Sequence, residues 1–314
     1  MKFTFGTDPE FVLVDKNNKA CSAIPILKGD KNSRKKSGNC YFYYDNVLGE
    51  CSLPPASSKK EAVENIGDCL KRFAKLVRPY KIAPIASYVF DKSELLHEDA
   101  FKINCEKEIC AYAIDIANVD EKVFEKTDLR SAGGHIHLGN EMILQGYNSI
   151  MLIKMLDLFL GIPSIFVDHD PSSKTRKKLY GNAGRYRCTP YGVEYRSMGN
   201  FWLSSPKYVE LIYDICDFSL DFVLSGKVND LWTVDEKRLY SREAWSDVNF
   251  HPSQCHTCTA YDVDLLRKTI NNMDVKSGKK FLSYANDFYP TKIKNQIEEL
   301  SVVKSYDLYE EWKI

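Results

Sequence analysis

The chain has 314 residues, 44% hydrophobic and 12% aromatic, enough apolar material for one large catalytic unit or two intimately packed domains. Lysine plus arginine equals aspartate plus glutamate at 43 each, so no global field draws the protein to nucleic acid or an anionic membrane, and any phosphate binding must be local. Ten scattered cysteines with no signal peptide ahead of them read as reduced thiols of a cytoplasmic protein.

In chain order, Phe3 and Phe5 alternate and Phe11 to Val14 form an apolar run, which predicts a strand entering a hairpin at Asp15 to Lys19. Pro9 has no N–H to give a ladder, so an edge or bulge is expected where Asp8 and Glu10 stand. Residues two apart on a strand share a face. Asp8 and Glu10 would therefore repel each other unless a cation lies between them, and all-oxygen ligation of that kind suits Mg²⁺ or Mn²⁺. A solvent-facing acidic strand with a turn-forming Asp-Pro is an equally good reading of these residues alone.

A basic loop, Lys28 to Ser37, leads into the strand-like YFYYDNVLGECSL, which Pro54 and Pro55 stop. Within it Glu50 reads evenly as a carboxylate placed in the sheet or as a surface side chain, whereas Asp45 and Asn46 are better read as the start of a turn. Ser58 to Glu61 matches a capping box, and Val63, Ile66, Leu70, Phe73 and Leu76 mark an amphipathic helix ending before Pro79. Shorter strands are expected over Ile82 to Phe90 and Cys110 to Ala117.

Arg130 to Gly139 reads as one strand carrying GGHIHLG, with Ile136 and Leu138 toward the core and His135 and His137 together on the opposite face. A helical pattern covers about Ile143 to Leu160. The longer apolar stretch from Ile150 to Val167 includes Lys154 and Asp157 and ends in Gly161 and Pro163, so it reads as a buried helix and no membrane span is expected. Beyond the polar loop Asp168 to Lys178 comes YGNAGRYRCTPYGVEYR, where Arg185 and Arg187 share one face, as do Glu194 and Arg196, while Tyr191, Val193 and Tyr195 fill the other. Guanidinium groups are the preferred bidentate partners of phosphate and carboxylate. With Gly181, Gly184 and Gly192 allowing close approach, anion binding is favoured over a surface Glu/Arg pair worth little energy.

Ser205-Pro206 opens a further helix that Gly226 closes after Leu224, and helical candidates follow at Val263 to Met273 and Leu282 to Tyr289. Cys255-His256-Thr257-Cys258 has CxxC spacing without a second ligand pair, so it reads as ordinary thiols in a loop. No P-loop and no kinase-type glycine loop occurs; if ATP is used, it is used on a sheet face. Strands dominate the first half and helices the second, which makes the fold class α+β.

Taken in order, GTDPEF, DNVLGE, SAGGHIHLG, YGNAGRYR and YGVEYR resemble the phage-type COOH-NH2 ligases, type 2 amidoligases that are distant relatives of glutamine synthetase and glutamate-cysteine ligase. The resemblance runs from Gly6 to about Trp202. It implies an antiparallel sheet curved into a saddle with helices on its convex face, and divalent ions between ATP and substrate on the concave face. It further implies Asp8, Glu10, Glu50, His135 and Glu194 as metal ligands, and His137 near the nucleotide phosphates. Arg185, Arg187 and Arg196 would act on the reactive phosphoryl group and the nucleotide. Asp8 stands where the more usual residue is Glu. Residues 1–226 would form the catalytic core, and residues 227–314 either the rest of the same domain or an addition with no motif to carry over. The implied activity is an ATP- and Mg²⁺-dependent (or Mn²⁺-dependent) ligase that joins a carboxylate to an amine through an acyl phosphate. The partners implied are small-molecule or peptide substrates, with no nucleic acid, in the cytoplasm of a host cell if the chain is phage-encoded. The rivals are a guanidino or protein-arginine kinase on a related saddle sheet, and an inactive protein that binds nucleotide or a partner.

Overall fold

The computed structural model describes residues 2–102, 108–117, 127–144, 146–239, 241, 242, 246 and 255–314. Its first strands pass through two sheets: β1 (Thr4–Gly6) belongs to one and β2 (Glu10–Val14) to the other. Pro9 stands at the break between them, where no ladder bond is required of it.

β3 (Ala20–Cys21), β4 (Lys35–Ser37), β5 (Cys40–Asp45) and β6 (Leu48–Ser52) join β2 in the order β3-β2-β6-β5-β4, and β7 (Lys81–Ala83) also pairs with β2. β8 (Ser87–Val89) pairs separately with β11 (Leu129–Ser131). The other large sheet adds β9 (Glu108–Cys110), β10 (Ala113–Ala117), β12 (Ile136–Gly139), β13 (Arg185–Thr189) and β14 (Gly192–Tyr195), in the order β1-β12-β14-β13-β9-β10. All its pairings are antiparallel, and it is curled into a half-barrel. The fold is α+β, with a curved antiparallel sheet backed by helices.

Two departures from the sequence reading have local causes. The expected strand Arg130 to Gly139 is two strands in different sheets, β11 and β12. Between them Gly133 and Gly134 cross so close to other backbone that a Cβ on Gly134 would stand 2.4 Å from the Gly199 carbonyl oxygen. The helix expected to stop near Leu160 instead runs Tyr147–Val167. Its middle widens into a π-turn over Asp157–Gly161, where Ile162 N–H donates to the Asp157 carbonyl, so Pro163 falls at the start of the next α-helical turn and needs no N–H partner.

Helix α1 (Lys59–Leu76) starts as expected, with Ser58 Oγ accepting from Glu61 N–H at 3.2 Å. Its buried face sets Phe73 against Phe11 and Phe42 of the β2-β6-β5 sheet, at ring-centroid distances of 5.9 and 5.1 Å. Helix α2 (Tyr147–Val167) is long and apolar enough to cross a bilayer, yet 89% of its apolar window is buried inside the protein. It packs with α3 (Pro206–Leu224) behind the half-barrel, on the side taken by Ile136, Leu138, Val193 and Tyr195. α4 (Val263–Asn272), α5 (Val275–Asn286), α6 (Thr291–Ser301) and α7 (Leu308–Trp312) add Leu266, Ile270, Phe281, Ile297 and Trp312 to the same core. The helix expected at Leu282 to Tyr289 begins earlier, because the Asp274 carboxylate caps it by accepting from Lys276 and Ser277 N–H.

Because Phe73 is fully buried against two aromatic rings, Phe73→Ala is expected to cost about 3–5 kcal/mol, read as a lower denaturant midpoint at unchanged slope.

Candidate active site

The register of the half-barrel turns the two-apart spacing into rows. Gly6, His137, Glu194 and Arg187 lie opposite one another across β1, β12, β14 and β13, so all four stand on one face. The next row on that face, Thr4, Gly139, Gly192 and Thr189, is small. His135 and Arg196 stand just beyond the strand ends on the other side of the first row, and Arg196 N–H donates to the Arg185 carbonyl.

Two groups of ligand-type side chains result. Asp8, His135 and Glu194 bring one ligand atom each to within 4.8 Å of one another, and Glu10, Asp45 and Glu50 do the same. Both groups line one small cavity, together with Lys31, Arg187 and Arg196. Asp8 and Glu10 fall in different groups: the chain changes sheet at Pro9, and each carboxylate joins a different triad. Glu10 and Glu50 are directly paired across β2 and β6. Asp45 does start the turn expected of it, with Asn46 at φ 47°, but its carboxylate is buried and completes the second triad. Tyr43, two residues before it, donates its hydroxyl to Glu50 Oε1 at 2.7 Å.

In the first triad, His135 Nδ1 is 3.4 Å from both Asp8 Oδ1 and Glu194 Oε1. Donors about 3 Å apart are what an octahedral ion with bonds near 2.1 Å requires. The Glu194 carboxylate is fully buried and held by Arg187 Nε at 2.7 Å and Arg196 Nη1 at 2.6 Å. Arg196 also donates to the Tyr180 hydroxyl, which packs near His135. His137 Nε2 is 3.0 Å from Asp8, and its Nδ1 is 2.6 Å from the Tyr191 hydroxyl. Tyr191 was expected on the far side with Val193 and Tyr195. It lies in the turn between β13 and β14, and Gly192 at φ 156° breaks the alternation after it.

Charge is unevenly balanced between the triads. Burial pushes the Asp8 carboxyl up, but the charge of His137 and hydrogen bonds from both histidines outweigh it and hold the group well below the usual carboxylate range. Burial together with the Arg196 charge lowers His135, while burial of His137 is outweighed by Asp8, which raises it. Burial and the Asp45 charge push Glu10 up to about 8, and burial with the charges of Asp8, Asp45 and Glu10 raises Glu50 as well. Among the described residues, Glu50 Oε2 is buried without a hydrogen-bond partner, as is His135 Nε2, which lies where a Cβ on Gly133 would be only 2.5 Å away. The second triad is an all-oxygen donor set that fits Mg²⁺ or Mn²⁺, and the first, with two carboxylates and an imidazole, fits the same ions.

Beside the triads opens a cavity of about 460 Å³. Its lining includes Asp8, Lys31 and Arg187, which also line the small cavity, with Arg34, His137, Gly6, Gly139, Leu53, Pro55 and Tyr191. Arg185, the third arginine singled out from the sequence, is half-buried on the same face of β13 as Arg187, but it lines neither this groove nor the small cavity. Sequence reasoning missed Asp45, Lys31, Tyr180 and Tyr191. It also missed Arg176, whose buried guanidinium donates to the carbonyls of Ala132, Ser197 and Arg196 and so ties the ends of the site strands together.

Residues 126–220 match the family model of phage phiEco32-like COOH.NH2 ligase-type 2. This is the family that the motifs resemble, and the matched segment carries His135, His137, Arg185, Arg187, Glu194 and Arg196. No curated protein matches the chain. The match supports an enzyme, and specifically a COOH-NH2 ligase.

The balance of charge predicts a pH dependence. With Glu10 raised from 4.5 to about 8, the ion-free folded protein holds more protons than the unfolded chain between those values, so its stability falls as pH rises through that window. Saturating Mn²⁺ should flatten this decline, and Mn²⁺ affinity should rise by up to about tenfold per pH unit for each proton displaced, as thermal unfolding and calorimetry at several pH values would report.

Proposed function

We propose that the protein is an ATP- and Mg²⁺-dependent carboxylate–amine ligase that forms an amide or peptide bond through an acyl phosphate. The observation that carries this reading is the convergence of two ligand triads and two arginines on one cavity, beside a groove lined by both charged and apolar side chains. In this reading Asp8, His135 and Glu194 hold one divalent ion and Glu10, Asp45 and Glu50 a second. Bound there, the ions would neutralise the phosphate oxygens and the substrate carboxylate.

The groove would take the nucleotide, with its phosphates toward the triads, beside Lys31 and Arg187, which line both spaces. A carboxylate oxygen of the acid substrate attacks the γ-phosphorus, and ADP leaves with the electrons of the broken P–O bond. Arg187 and Arg196, already fixed by Glu194, offset the charge on the transferring phosphoryl group. Arg185, whose carbonyl accepts from Arg196 N–H, is assigned to the acid substrate or its phosphorylated form. The amine nitrogen then attacks the acyl carbon, phosphate departs and the amine proton is lost, so the product is lighter than the two precursors by one water.

Purified protein incubated with ATP, Mg²⁺ and pooled acids and amines is expected to release phosphate and yield such a product by mass spectrometry. Glu194→Gln and His135→Ala should each lower turnover on the order of a hundredfold or more. Undiminished turnover in both variants would remove the site assignment, and a stable phosphorylated product with no amide bond would identify a kinase instead.

A further inference from the structure

We propose that Lys31 and Arg34, on the loop between β3 and β4, form a clamp on the triphosphate of the nucleotide, opposite the arginines of the half-barrel. This rests on the ligase reading and adds to it residues that lie outside every motif of the resemblance.

The loop is built to hold one shape. The Asp30 carboxylate accepts from Asn32 N–H at 2.9 Å, Ser33 N–H at 3.0 Å and the Ser33 hydroxyl at 2.8 Å. Tyr44 N–H donates to the Gly29 carbonyl at 2.8 Å, which fastens the loop to β5. A Cβ on Gly29 would stand 2.3 Å from the Ser33 carbonyl oxygen, so the tight turn needs glycine there. Arg34 Nε donates to the Lys31 carbonyl at 2.7 Å, and its guanidinium carbon lies 5.1 Å from the centre of the Tyr43 ring. The loop thereby holds both residues at the lining of the groove.

Their placement fits a chain of phosphates. Lys31 lines both the small cavity of the triads and the groove, while Arg34 lines the groove alone. One cation therefore stands where the γ-phosphate would meet the ions, and the other further toward the nucleoside. Arg187 and Arg196 are committed to Glu194, whereas no carboxylate forms an ion pair with Lys31 or Arg34 among the described residues. An added polyanion can recruit these two without breaking an existing pair.

Calorimetric titration of the intact protein with ATP, ADP and AMP, each with Mg²⁺, tests the assignment. Lys31→Ala and Arg34→Ala should each weaken ATP binding about tenfold, and the double variant more, with AMP affinity and the unfolding midpoint unchanged. Lys31→Arg should retain most of the ATP affinity. A double variant with the wild-type ratio of ATP to AMP affinity overturns the clamp, as does unchanged ATP binding with a raised KM for the acid, which would place the loop on the other substrate. If the wild-type protein bound no Mg²⁺-nucleotide, the ligase reading itself would fail and the clamp with it.

Discussion

Five carboxylates, those of Asp8, Glu10, Asp45, Glu50 and Glu194, line one small cavity, and their mutual repulsion is the constraint around which the rest of the structure is arranged. Charges this close in a low-dielectric interior repel far more strongly than in water, and each loses solvation as well. The protein answers part of the problem internally. Asp8 is met by two histidines and Glu194 by two arginines. In the second triad the offset is only partial: burial and the Asp45 charge displace Glu10 upward, and burial with the charges of Asp8, Asp45 and Glu10 displaces Glu50. That residual imbalance is the physical ground for proposing a divalent cation at the second triad.

Holding such a site rigid requires backbone that cannot relax. The two sheets meet at Glu10, whose N–H donates to the Gly133 carbonyl at 2.9 Å and whose carboxylate accepts from Gly133 N–H at 2.6 Å. Asn200 donates to the Glu10 carbonyl at 2.8 Å, and Trp202 to the Gly134 carbonyl at 3.1 Å. Arg176 gathers three further carbonyls from strand ends. These bonds lock the junction, while the apolar faces of β12 and β14 are pressed against α2 and α3. A carboxylate cluster that would otherwise splay apart is thus clamped from behind, which is what preorganised electrostatic catalysis demands.

Much of this was legible in the sequence, because strand periodicity is short and local. The doublets His135/His137 and Glu194/Arg196 announced a shared face, and the register placed His137, Glu194 and Arg187 in one row. The Ser58 cap and the Ser205-Pro206 helix start were equally local signals and appear as expected. What the sequence hid depends on tertiary closure. Asp45 has the signature of a turn residue and is one, yet the hairpin also turns its carboxylate inward. Asp8 and Glu10 share a face by spacing alone, and that Pro9 marks the passage from one sheet to the other, which sends them to different triads, shows only in the tertiary structure. Tyr191 was assigned by alternation that Gly192 interrupts, and Lys31 sits in a loop whose direction no periodicity encodes.

The central claim, that this cavity activates a carboxylate by phosphoryl transfer before an amine captures it, is tested most directly by isotope tracing. Acids labelled with ¹⁸O in the carboxylate would be supplied with ATP, Mg²⁺ and amines, and the released phosphate analysed by mass spectrometry. The account predicts that one labelled oxygen passes from the acid to each phosphate as the amide forms. Phosphate released without label would contradict an acyl phosphate and, with it, the role assigned to the two triads.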